Sequence, residues 1–115
     1  IKSGCMIGDN SYLVVKEANV NLIIGKECGL SRNVKIMTSD GHPIYQDGKR
    51  INHAKDVVLE DNIWVADNVT ILKGVHIGEN SVLGIESLVT KSVPKNSIAA
   101  GNPAKVVKEN ITWKP

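Results

Sequence analysis

The side chains best suited to acid–base, nucleophilic or metal chemistry are three histidines and two cysteines: His42, His53, His76, Cys5 and Cys28. His42 stands between Gly41, which frees the backbone to turn, and Pro43, which fixes it. An imidazole with an ordinary pKa near 6.5 takes and returns a proton at physiological pH, which suits a general base acting on a hydroxyl or an amine. His53 follows in the same polar stretch without that Gly-His-Pro setting, so an exposed loop position is expected, or a place lining an acceptor site. No Ser lies beside a His, and neither Cys is near His42, so no residue is placed as an acyl-carrying nucleophile. A zinc site built on histidines needs three that converge. Two of the three here share one stretch, and no metal site is expected.

The elements that must carry these residues follow from one period. Leu59, Val65, Ile71, Ile77, Leu83 and Val89 are each six residues from the next. Four places after each comes Ile63, Val69, Val75, Ser81, Ser87 or Val93. A helix repeats its apolar face at three and four residues and a strand at two, so a period of six fits neither. It is an internal repeat of the kind that builds a β-helix. Three hexads make a triangular coil of 18 residues, with the aliphatic residue inside the prism and the residue four later inward near a corner. Cys5 and Cys28 fall at that second position and read as small core fillers, while His76 falls mid-hexad and reads as surface.

Ile1, Ile7 and Leu13 already keep the six-residue step, and it resumes at Ile24, Leu30 and Ile36 after a slip within Glu17–Leu22. The slip reads as a corner one residue short. At Asp40 the pattern stops until Val57, and the intervening segment, with Gly41, Pro43 and Gly48, is expected to project as a loop over about 40–56. After Lys95 the repeat fades, and Ala104–Ile111 is expected to close the array as a short helix or an irregular cap. The whole is about five coils at a spacing of about 4.8 Å. The spacing does not fix the hand of the coil, although the usual rule for parallel crossovers would say right-handed.

Composition agrees with a thin prism. Aromatic residues are 3% and Phe is absent, so a sandwich or bundle core would lack its bulky fillers. A formal charge of +2 gives no basic face for nucleic acid. Residues 1–115 read as one domain. No stretch reads as a signal peptide or a transmembrane segment, so a cytoplasmic location is expected. The repeat is already running at Ile1, without a starting Met, and residues upstream are expected. A prism one side chain wide buries little, and its flat sides suit association as a trimer.

Three pieces together resemble a known family. The hexads, the segment SDGHPIY (Ser39–Tyr45), and DNIWVADNVTILKGVHIGENSVLG (Asp61–Gly84) followed by AAGNPAKVV (Ala100–Val107) resemble the hexapeptide-repeat acyltransferases. RINHAKDV (Arg50–Val57) and VKENITW (Val107–Trp113) are similar to O-acetyltransferases of bacterial capsule sugars, including those acting on polysialic acid. The galactoside and maltose acetyltransferases share the layout. The resemblance implies an all-β, left-handed parallel β-helix in a homotrimer, with active sites between subunits and acetyl-CoA as donor to a sugar or glycan.

It also implies roles. His42 would be the general base, and the Asp67 amide, just after Trp64, would donate to the oxyanion. Trp64 would pack beside the CoA arm or the acceptor; a contact buried between protomers is the other reading of an outward Trp. Ile85 would approach the pantetheine, Thr90 and Lys91 would lie along the groove, and Lys105 and Lys108 would meet CoA phosphates. Relatives have small residues where this chain has Ala66-Asp67, and Gly-Ala-Gly-Ser where it has Gly84-Ile85-Glu86-Ser87. Ile85 adds bulk and Asp67 and Glu86 add negative charge near a phosphorylated cofactor, so weakened CoA binding is expected. Tyr45, Gln46, Lys49 and Arg50 could meet the acceptor, the two basic ones suiting an anionic glycan. An N-acetyltransferase on an amino sugar or serine-type acceptor would need the same base, and a non-catalytic β-helix scaffold or a γ-carbonic-anhydrase relative is a further reading.

Overall fold

The structure is a computed structural model describing residues 1–115. Its strands are short because each is one side of a triangle. The first coil carries β1 (Met6–Ile7), β2 (Tyr12–Val14) and β3 (Leu22–Ile24). The second carries β4 (Gly29–Leu30) and β5 (Lys35–Met37), then the loop hairpin β6 (Tyr45–Gln46) and β7 (Lys49–Arg50), then β8 (Val57–Leu59). β9 (Trp64–Val65), β10 (Thr70–Ile71) and β11 (His76–Ile77) make the third. β12 (Val82–Leu83) and β13 (Leu88–Val89) follow, then β14 (Ile98–Gly101) and β15 (Ala104–Lys108).

Strands of successive coils stack in parallel. The first side runs β1-β4-β9-β12-β14, the second β2-β5-β10-β13, and the third β3-β8-β11, extended by a bridge from Ile77 to Val93. The fold is a left-handed parallel β-helix with no α-helix. Its core is the hexad ladder. Leu59, Val65, Ile71, Ile77, Leu83 and Val89 are wholly buried, and so are Ile63 and Val69 at the corner position. Each such side chain taken from water contributes about 1.5–3 kcal/mol. Ser81 and Ser87 are tolerated inside because each hydroxyl donates to a carbonyl, Ser81 to Pro94 at 2.8 Å and Ser87 to Gly84 at 2.6 Å.

Corners are made by residues in the left-handed backbone region, mostly asparagines. Asn10, Asn33, Asn62, Asn68, Asn80 and Asn96 have φ of 56–62°, a conformation Asn accepts more readily than other side chains. Their amides then bond from coil to coil, Asn62 to Asn80 at 3.0 Å and Asn80 to Asn96 at 3.1 Å. Cys5 and Cys28 are free and point inward, as the hexads predict, with Cys28 fully buried.

Two expectations are corrected. Ile7 pairs with Leu30 and Leu13 with Ile36, so the first coil is 23 residues long, whereas Val65 to Leu83 is 18. The slip after Leu13 is therefore a corner five residues longer, not one shorter. It sits below the corner from which the long loop leaves, and buried Thr38 binds it by donating to the Lys16 carbonyl at 3.2 Å. The C-terminal segment is not helical either: β15 turns back and pairs antiparallel with β14, closing that edge of the first side.

Candidate active site

The loop over 40–56 projects as expected and contains the β6–β7 hairpin. His42 is exposed within it, and its ring makes no hydrogen bond or ion pair inside the chain. The backbone around it is fixed instead. Asn52, 7% exposed in a loop otherwise open to solvent, accepts the Ile44 N–H at 2.6 Å and donates to the His42 carbonyl at 2.8 Å. Its second amide hydrogen goes to Asp40 at 3.0 Å. Asp40 is held from the other side by Lys73 at 2.7 Å, and that ammonium keeps its carboxyl below the usual value.

Arg50 is not free to meet an acceptor, contrary to expectation. Its guanidinium takes the Glu17 carboxylate in both hands, at 2.8 and 2.7 Å, and so ties the loop to the long corner of the first coil. The pair lowers the Glu17 pKa and raises that of Arg50. Tyr45, Gln46 and Lys49 remain exposed on the hairpin. His53 is exposed, and His76 lies on the surface against Glu60, whose pKa it lowers.

Thr90 and Lys91 follow Val89, which stacks through Ile71 on Ile36. They stand, exposed, at the corner from which the His42 loop departs. A second set lies elsewhere. Trp64 faces outward on the first side, 43% exposed, and leads into a groove of about 970 Å³. Trp113 closes over it, with ring centroids 5.9 Å apart and its indole N–H donating to the Asn62 carbonyl at 2.8 Å. Asp67 also lines this groove. Its carboxylate accepts the Arg32 N–H at 2.9 Å, and its own amide has no acceptor in the chain. Ile85 is 63% exposed at the equivalent turn one coil on. Lys105 and Lys108 are exposed on β15 and, like Lys91, enter no ion pair.

The candidate residues of one chain thus fall into two groups at different corners, and His42 does not line the groove of Trp64. Sequence reasoning missed Asn52 and the cover given by Trp113; the second Trp in a chain with so few aromatics was the available signal. No group of three or more His, Cys, Asp or Glu side chains is gathered to hold a metal. No helix is long and apolar enough to cross a membrane.

Comparison with known proteins adds to this. No family model matches the sequence. The chain is 48% identical over 109 residues to the polysialic acid O-acetyltransferase of Escherichia coli O1:K1, covering 93% of this chain and 35% of that protein. It superposes on the crystal structure of the polySia-specific acetyltransferase NeuO with a TM-score of 0.92 at 45% identity, covering 96% of this chain and 51% of that one. Over nearly its whole length the chain thus matches hexapeptide-repeat acetyltransferases in sequence and in fold. It spans about a third to a half of these two relatives. A galactoside acetyltransferase solved with coenzyme A matches this hexapeptide-repeat chain with a TM-score of 0.62 at 26% identity, over 94% of this chain and 66% of that one.

Proposed function

We infer that the protein is an acetyl-CoA-dependent O-acetyltransferase that acts on a hydroxyl of a sugar or surface polysaccharide, working as a homotrimer with sites between protomers. The observation that carries this reading is the setting of His42: its backbone is held at several points by Asn52, itself braced through Asp40 and Lys73, while its imidazole is left unpartnered. A structural histidine would use its ring nitrogens; this one keeps them available. Support comes from the relatives, which are named for acetyl transfer to polysialic acid and, bound to coenzyme A, to galactosides.

The residues fit a CoA-type ligand. Lys91, Lys105 and Lys108 are unpaired cations suited to phosphates, and the Asp67 amide is an unused donor beside an indole. Bound there, acetyl-CoA supplies an acetyl group activated as a thioester. His42 takes the proton of the acceptor hydroxyl as its oxygen attacks the acetyl carbonyl, a contribution of roughly 10²–10⁴ in rate. The Asp67 N–H donates to the oxygen on which charge develops. As the C–S bond breaks, His42 returns the proton to the departing sulfur. The two groups of one chain lie at different corners, so a trimer that sets the His42 loop of one protomer against the groove of the next would complete the site.

The test follows free thiol release from acetyl-CoA with oligosialic acid, a galactoside, maltose and glucosamine as acceptors. Turnover with a hydroxyl acceptor is expected, and the His42→Ala variant should lose it while still binding CoA. Wild-type rates in that variant would overturn the mechanism, and turnover confined to the amine of glucosamine would assign N-acetyl transfer instead.

A further inference from the structure

The ring of His42 has no partner in the chain, so only its backbone can aim it. That backbone is interrupted at Pro43, which offers no N–H. The carbonyl entering the proline and the amide leaving it are both bound by one side chain, Asn52. We propose that Asn52 is the positioning residue for His42, clamping the His42–Pro43–Ile44 backbone so that the imidazole is set to take the acceptor's proton. This rests on the reading of His42 as the base.

The chemistry of the site selects an amide. Asn52 must accept one N–H and donate twice, to a carbonyl and to a carboxylate. Aspartate has no hydrogen to give and would face Asp40 with a second charge. Serine has one. Asn52 is the buried residue of the 40–56 loop, so any polar group of its amide left unmatched there would have given up water for nothing. Its own placement is braced from two directions. Lys73 fixes Asp40 at 2.7 Å, and Arg50, gripping Glu17, reaches the Asn52 carbonyl at 3.5 Å. The clamp is therefore mounted on the coils and not on the loop alone. A misplacement of 1 Å in catalytic geometry costs up to about 10²-fold in rate.

The experiment uses the whole chain, acetyl-CoA, and whichever acceptor of the panel is turned over fastest. Asn52→Ala and Asn52→Asp should each lower kcat by about 10-fold or more with the KM for acetyl-CoA unchanged. In a His42→Ala background the same substitutions should cost nothing further, because their effect passes through the imidazole. An unchanged kcat overturns the proposal, as does an equal loss with and without His42. If N52A does not fold, N52D, of nearly the same shape, decides by the same two readings. Failure of both to fold makes Asn52 a residue of stability alone and also overturns it. Full activity in H42A would instead bring down the reading of His42, whatever Asn52 does.

Discussion

Arg50 holds Glu17 across 33 residues of sequence through two parallel hydrogen bonds, Nη1 to Oε1 at 2.8 Å and Nη2 to Oε2 at 2.7 Å. The bond joins the two insertions of the coil array, the long corner of the first coil and the loop that carries His42. Neither insertion has a hexad core of its own. Each is ordered by the other.

Acid should therefore loosen the loop before it unfolds the prism. Glu17 is held below its ordinary 4.5 by Arg50, and Asp40 below its ordinary 3.8 by Lys73. A carboxylate whose folded pKa is depressed stabilises above its unfolded value and loses that contribution as pH falls through the folded one. Hydrogen exchange of the 40–56 amides should rise as pH drops below about 4, once the intrinsic pH dependence is removed, while Ile71 and Leu83 stay protected. Glu17→Gln should raise loop exchange already at neutral pH. Exchange that is uniform along the chain at acid pH would contradict this.

The cover over Trp64 makes a second expectation. Trp113 reaches it from the C-terminal tail and is pinned by its N–H to the Asn62 carbonyl at 2.8 Å. Trp113→Ala should leave the prism intact, and acrylamide should then quench Trp64 more efficiently and its emission should shift to the red. Unchanged quenching would mean that the tail does not lie over the groove in solution.

Asp67 separates a structural role from a charge. Its carboxylate accepts the Arg32 N–H, as Asp61 accepts that of Lys26 and Asp56 that of Asn21, one acid per corner of the same coil. Asn keeps the acceptor and drops the charge; Ala drops both. Asp67→Asn should hold its melting temperature and bind CoA more tightly at low salt, by at most about tenfold, with the gain fading as salt screens it. Asp67→Ala should lose about 0.5–1.5 kcal/mol of stability. Equal CoA affinity in wild type and D67N at low salt would place the phosphates away from this corner.

The hexads could be read without a structure because a period of six admits one solution, and the inward residues from Leu59 to Val93 are buried as spaced. The same arithmetic produced the error after Leu13. In a six-residue repeat, five residues inserted and one removed leave the same phase, so register alone could not tell a short corner from a long one. The projecting loop that carries His42 was visible through the glycine and proline beside that residue. Asn52 was not, being one polar residue in a polar stretch; what sets it apart is burial, which arises only when β7 brings Arg50 and the turn of Pro43 together. Arg50 read as a free cation for the same reason, since Glu17 lies in another coil. Gly101-Asn102-Pro103 marked the end of the repeat correctly but not the reversal of β15 along β14.

Coil spacing leaves some glycines no room for a side chain. A Cβ on Gly78 would lie 2.4 Å from the Lys95 nitrogen and 2.7 Å from its Cα, both backbone atoms of the next coil. Gly29 on the first side would meet nothing within 4 Å. Gly78→Ala should therefore destabilise by about 1–3 kcal/mol, as overpacking does. Gly29→Ala should change stability little. Paired denaturant melts of the two variants check the stacking directly, and equal stability would mean that the coils are not in van der Waals contact at that turn.

Burial predicts the behaviour of Cys28 in alkali. Desolvation raises its pKa from 9.0 to about 11, because the interior disfavours the thiolate, and Cys5 stacked beside it adds to the rise. The unfolded chain thus releases the thiol proton at a lower pH than the folded one. This contribution to stability is complete below about pH 9 and shrinks as pH climbs toward 11, by up to about 3 kcal/mol. Urea melts at pH 8 and pH 10.5 should show a steeper loss for wild type than for Cys28→Ala, in which no thiol titrates there. At neutral pH the native protein should leave Cys28 unmodified by a thiol reagent until it is unfolded, since nucleophilic attack needs an exposed thiolate. Rapid labelling of Cys28 in the native state would show that the prism opens at its second coil far more readily than a ladder of buried Ile, Val and Leu allows.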